Sequence, residues 1–207
     1  NGRLRFQRIT AGSDSLRDVL DLLPEADGSL WLGRKHGVAR LLYRPEASTL
    51  LPVPLLPGQD VEVNQLFRGG PNDLWACTNG AGVFHYMAPP GAASSIKRPT
   101  TTEGMPTDQV LCALRDRRGD LWFGLRGAGI THFRGDMFEC FKGFKSISIA
   151  EDPAGKLWVG TETGLAWFDG SRFHRQAQQD YSWHYSVSID PKGRVVFGNN
   201  MADPAQQ

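Results

Sequence analysis

The chain has 207 residues, 23 basic and 22 acidic side chains, a net charge of +1 and 40% hydrophobic content. That suits one globular unit or two at most, and the balanced charge supplies no field for nucleic acid or an anionic membrane surface. No apolar stretch reaches the roughly 18–20 residues of a membrane span, because Pro52 and Pro54 break the run from Leu50 to Leu56.

Taken in chain order, the segment Gly2 to Arg8 comes first and resembles Gly170 to Arg175 further on, so it is expected to be an outer strand. A short apolar run, Val19 to Leu23, precedes Gly28-Ser-Leu-Trp31-Leu-Gly33. The same order recurs with Val63 to Phe67 before Asn72-Asp-Leu-Trp75-Ala-Cys77, and Val110 to Leu114 before Gly119-Asp-Leu-Trp122-Phe-Gly124. It recurs again with Ile147 to Ile149 before Gly155-Lys-Leu-Trp158-Val-Gly160, and Val187 to Ile189 before Gly193-Arg-Val-Val196-Phe-Gly198. Spacings between the tryptophan positions are 44, 47, 36 and 38 residues. After the first four motifs, a glycine opens another apolar run at Gly37, Gly82, Gly129 and Gly164.

These runs last four to six residues, too short for the ten or more positions over which a helical period would show. They are strands. Asp116, Asp152 and Asp190 each stand three residues before a glycine, the pattern of a type I turn, and Asp27 sits beside the corresponding turn. Asn72 takes the glycine position in the second repeat, where it tolerates a left-handed backbone. Each repeat is therefore strand, turn, tryptophan strand, glycine turn, third strand and a more polar fourth. Four antiparallel strands per period of about 40 residues make the blade of a β-propeller, an all-β fold.

The tract from Ile149 to Phe168 resembles the two-component-regulator propeller repeat: an acidic residue, a glycine turn, Leu-Trp-Ile-Gly-Thr, a short turn, then Gly-Leu and an aromatic. The resemblance extends over Asp18 to Gly198, with departures at Cys77, Val196, Arg34 and Leu125. It implies the periplasmic or extracellular part of an inner-membrane sensor, with an immunoglobulin-like sandwich, a membrane helix and a histidine kinase or other output elsewhere. It also implies a ring of about seven blades, so that four complete blades and partial ones at the ends form an arc; the alternative is that the two ends combine into a partial fifth blade. The expected units are residues 1–16 (an outer strand and link), 17–60, 61–108, 109–144 and 145–184 as blades, and 185–207 as a partial blade.

Trp31, Trp75, Trp122 and Trp158 share one strand position and are expected to wedge between blades. His85 and His132 share another, which favours packing over a metal pair. Cys77, Cys112 and Cys140 are too widely spaced for a zinc site or a disulfide framework and read as buried thiols. No catalytic residue, metal or cofactor is expected. Variation concentrates in the turn after the tryptophan strand and in the links that enter each blade, and one face gathers both. Arg34, His36, Asn79, Arg126 and Glu162, together with Trp183, His184 and Tyr185, are the candidate ligand contacts. Polar forks beside aromatic faces suit an oligosaccharide or a peptide. The competing readings are a scaffold or homodimerisation propeller, and a propeller lyase or hydrolase with His, Glu and Tyr around the channel mouth.

Overall fold

The computed structural model describes residues 16, 18–44, 48–53, 55, 60–70, 73–87, 96–97, 101, 104–134, 137–176 and 186–198. The first sheet holds β1 (Val19–Pro24), β2 (Leu30–Arg34), β3 (Gly37–Leu42) and β4 (Thr49–Val53). The second holds β5 (Val63–Phe67), β6 (Leu74–Thr78), β7 (Val83–Tyr86) and β8 (Ile96–Lys97). The third comprises β9 (Val110–Arg115), β10 (Leu121–Leu125), β11 (Gly129–Arg134) and β12 (Met137–Phe141). The fourth comprises β13 (Ser146–Glu151), β14 (Leu157–Thr161), β15 (Gly164–Phe168) and β16 (Phe173–Arg175), and β17 (Ser186–Ile189) pairs with β18 (Val195–Gly198). Every sheet is an antiparallel meander in chain order. Successive sheets meet along their first strands, β1 beside β5, β5 beside β9, β9 beside β13 and β13 beside β17. Sheets ranged in this way are the blades of a propeller, and the first strand of each lies innermost.

The turn from first to second strand is built by one carboxylate. Asp116 Oδ1 accepts the N–H groups of Arg118 and Asp120, both at 2.9 Å, and Asp152 and Asp190 do the same for their own turns. The N–H of Gly119 bonds the Asp116 carbonyl at 2.9 Å, and Gly119 has φ +92°, a backbone that only glycine adopts without strain. The carboxylate's other oxygen then reaches the tryptophan, with Trp122 Nε1 donating to Asp116 Oδ2 and Trp158 Nε1 to Asp152 Oδ2, each at 2.9 Å. Asp190 faces Val196 in place of a tryptophan, and Arg194 Nε takes its second oxygen at 2.7 Å.

The first strand of each four-stranded sheet carries a bulge after its first residue, between Val19 and Asp21, Val63 and Gln65, Val110 and Cys112, and Ser146 and Ser148. At three of the four, the residue beyond the bulge reaches the next blade. Asp21 Oδ2 accepts the Leu66 N–H at 2.6 Å, Gln65 Oε1 the Ala113 N–H at 2.6 Å, and Ser148 Oγ the Val187 N–H at 2.8 Å. These side-chain bonds staple one inner strand to the next.

The tryptophans fill the seams farther out. Trp31 packs with Val63, Leu66 and Tyr86 of the second blade. Trp75 lies 5.9 Å from Phe123 of the third, and Trp122 lies 5.1 Å from Phe168 of the fourth. Each of these buried rings removes on the order of 200 Å² from water, roughly 5 kcal/mol of transfer free energy. Trp158 is half-buried, since its neighbour among the described residues is the two-stranded β17–β18 sheet. The close seam also accounts for Gly124, where a Cβ would sit 2.3 Å from Cys112 Sγ and 2.9 Å from Ser146 Cβ.

Candidate functional site

On the face where the chain enters each blade, the turns after the second strand are held by a recurring backbone bond. The residue following that strand donates its N–H to the carbonyl just before the first strand of the same blade: Lys35 to Asp18, Asn79 to Glu62, Arg126 to Gln109 and Glu162 to Lys145, at 2.9–3.3 Å. Thr78 and Thr161 close two of these turns by donating their hydroxyls to Gly82 and Gly164 carbonyls at 2.7 and 2.8 Å. The backbone is thereby fixed while side chains project from the face.

Arg126 is exposed, and Asn79 and Glu162 are half-exposed. His36 is exposed, with Nδ1 3.1 Å from Asp60 Oδ2 on the link into the second blade. Arg34 Nε is buried and makes no hydrogen bond. Blade topology puts these five residues on one face, on four successive blades. Trp183, His184 and Tyr185 lie outside the described residues. The turn of the second blade is tied to the third, with Gly80 and Gly82 N–H both donating to the Asp108 carbonyl at 3.1 and 2.8 Å. A ligand gripping this face would therefore touch the joints between blades.

The opposite face carries a second constellation. Register places Trp31 across from Arg40, Trp75 from His85, Trp122 from His132 and Trp158 from Trp167. Arg40 sits 5.5 Å over the Trp31 ring, and the two histidines stack on theirs with centroids 3.8 and 4.0 Å apart. An acid meets each base: Asp27 at 2.6 Å from Arg40, Asp73 at 3.3 Å from His85, and Asp120 at 3.1 Å from His132. In the fourth blade the arrangement changes, and Lys156 Nζ stands 3.5 Å over the Trp167 ring. Stacking at a shared repeat position is what the sequence leads one to expect of His85 and His132.

Between the third and fourth blades these stacks border a cleft of about 300 Å³, lined by Trp122, His132, Asp116 and Glu139 on one side and by Lys156 and Phe168 on the other. The hydrogen bond from Arg134 holds the Asp120 carboxyl below its ordinary range, against the opposing effect of burial, and His132 lowers it further. His174 and the turn amides hold Asp169, on the same rim, well below that range. Sequence reasoning passed over this cleft, because Asp116 and His132 each have a repeat-wide explanation. The available signal was the pairing of Asp116 with Asp120 in a single turn, which no other repeat has.

Residues 145–163 match the two component regulator propeller family model. No curated protein matches the chain. Among solved structures, the extracellular domain of the BT3049 hybrid two component system from B. thetaiotaomicron superimposes with TM-score 0.68 at 20% identity, over 86% of this chain and 26% of that one. The extracellular domain of the BT4673 system from the same organism gives TM-score 0.70 at 19% identity, over 92% and 27%. Virginiamycin B lyase from Staphylococcus aureus gives 0.65 at 13% identity, over 90% and 71%. At these identities the likenesses show the propeller fold. The chain spans about a quarter of the length of the two extracellular domains.

Proposed function

We propose, for a chain that carries the two-component-regulator propeller repeat, that it is part of a sensor propeller working outside the cytoplasm in a membrane-anchored bacterial signalling protein. The observation that carries this reading is the repeat match at 145–163, on a fold that superimposes on extracellular domains of two such systems. The units 17–60, 61–108, 109–144 and 145–184 act as blades of a larger ring. Ligand binds on the turn face through Arg34, His36, Asn79, Arg126 and Glu162, with Trp183, His184 and Tyr185 supplying aromatic surface. Its chemistry is that of an oligosaccharide fragment or a short peptide, which takes directional bonds from guanidinium and amide groups and stacks on rings. The chain itself performs no covalent step. Binding biases the packing of neighbouring blades, and separate domains read the change.

A thermal-shift screen against oligosaccharides and peptides tests this. A hit should raise Tm in a concentration-dependent way, and Arg126→Ala should weaken it about 10-fold, the loss of roughly one charge-assisted hydrogen bond. No hit at millimolar concentration, together with tight self-association, would favour a protein-binding scaffold. The described histidines give the lyase reading no support. His85, His132 and His174 stack on tryptophans away from the turn face, and His36 there is paired with Asp60.

A further inference from the structure

Asp116, Asp120 and His132 each place one ligand atom within 4.8 Å of the other two. The second blade has the same stacked histidine, but Gly69 stands where the third blade has Asp116, so a second carboxylate meets the imidazole in the third blade and not in the second. Packing explains why a histidine lies on each tryptophan. The turn amides and the Trp122 indole account for Asp116 itself, and together they fix its carboxylate beside the imidazole.

The His132 side chain is only 8% exposed, and its ring is held flat on Trp122 with an interplanar angle of 7°. Its Nε2 lies 3.1 Å from Asp120 Oδ2, yet alignment is poor and the nitrogen makes no hydrogen bond. A buried polar atom in that condition is costly unless something else satisfies it. On the other side of the ring, Nδ1 lies 3.6 Å from Glu139 Oε2. Glu139 can take an Nδ1–H once an ion displaces the proton that the nearer Asp120 favours at Nε2.

We propose that this cleft is a binding site for a divalent transition-metal ion, with His132 Nε2 and the carboxylates of Asp116 and Asp120 as its ligands. One imidazole with two carboxylates suits an ion of zinc type over magnesium or calcium, which take oxygen alone. Tetrahedral zinc keeps its ligand atoms roughly 3.5 Å apart, so the widest pair closes by about 1 Å, within side-chain reach. Arg134 is the competitor. Its guanidinium already pairs with Asp120, and being 63% exposed it can swing into solvent when an ion takes its place. The site is separate from the turn face, so it stands or falls independently of what that face binds.

Calorimetric titration with zinc chloride tests the assignment on the full chain, alongside Arg134→Gln and His132→Gln. Expected results are one equivalent bound at micromolar Kd, binding at least 10-fold tighter in R134Q, and loss in H132Q. Cobalt(II) should give visible d–d bands without thiolate charge-transfer, which separates this site from the three cysteines. Should H132Q fail to fold, R134Q decides alone, since removing a competing cation must tighten a site built on Asp120. No stoichiometric zinc in wild type, unchanged affinity in R134Q, undiminished binding in a folded H132Q, or an equal response to magnesium would each overturn the proposal.

Discussion

Asp21 shows how one side chain serves both register and seam. The bulge between Val19 and Asp21 turns its carboxylate toward the second blade, where it accepts the Leu66 N–H at 2.6 Å. Burial pushes its carboxyl above the ordinary value, and the amides of Leu66 and Leu22 only partly offset this. The folded state therefore binds this proton more tightly than the unfolded chain, so its contribution is fully present below the unfolded value and is lost as pH rises through the folded one. Asp21→Asn keeps an acceptor and removes the charge. Its stability relative to wild type should be greatest near pH 7 and shrink on acidification toward pH ~4, the unfolded carboxyl range. Urea denaturation of both proteins at several pH values measures this, and a difference independent of pH would refute the account. The turn aspartates were legible in the sequence, because Asp, Gly and Trp recur at fixed offsets. The bulge staples were not, since Asp21, Gln65 and Ser148 share a position but no residue type.

At the scale of the element, what matters is which blade a tryptophan rests on. Trp122 projects from β10 onto Phe168 of the fourth blade and is buried, whereas Trp158 projects from β14 toward β17–β18 and is half-buried. Trp122→Ala should cost about 3–5 kcal/mol, in the range for large buried aromatics, and Trp158→Ala markedly less. Chemical denaturation at neutral pH measures both, and equal losses would mean that the seam does not set the contribution. The sequence reveals that these rings pack, through their period. How deeply each is covered depends on neighbours some forty residues away, which a local motif does not report. The same holds for the cleft: its walls come from two blades, and Lys156 and Phe168 acquire meaning there only once His132 is seen opposite them.

The whole molecule is a row of sheets in which each is covered by the next. Its flanks differ from its seams. Leu20 and Leu22 of β1 are 42% and 56% exposed, and Val196 and Phe197 of β18 are 48% and 40% exposed. Exposed apolar side chains on the outer sheets favour association. The isolated chain should therefore self-associate with rising concentration in sedimentation velocity, and Leu22→Lys combined with Phe197→Lys should suppress it. Persistence of the oligomer in the double variant would point to another surface.

The forward reach of Trp31, Trp75 and Trp122 has a consequence for how such chains could diversify. Each seam is written jointly by two repeats, so exchange of a whole blade between relatives breaks complementarity at both of its borders. A crossover within a blade, just after its first strand, would cut hydrogen-bonded pairing there but leave the turn carboxylate, the indole it bonds and the next blade that the indole covers on the same parental segment. The unit that recombination can preserve is thus offset from the unit that the sheets display. Chimeras joined at the two kinds of border would separate one from the other.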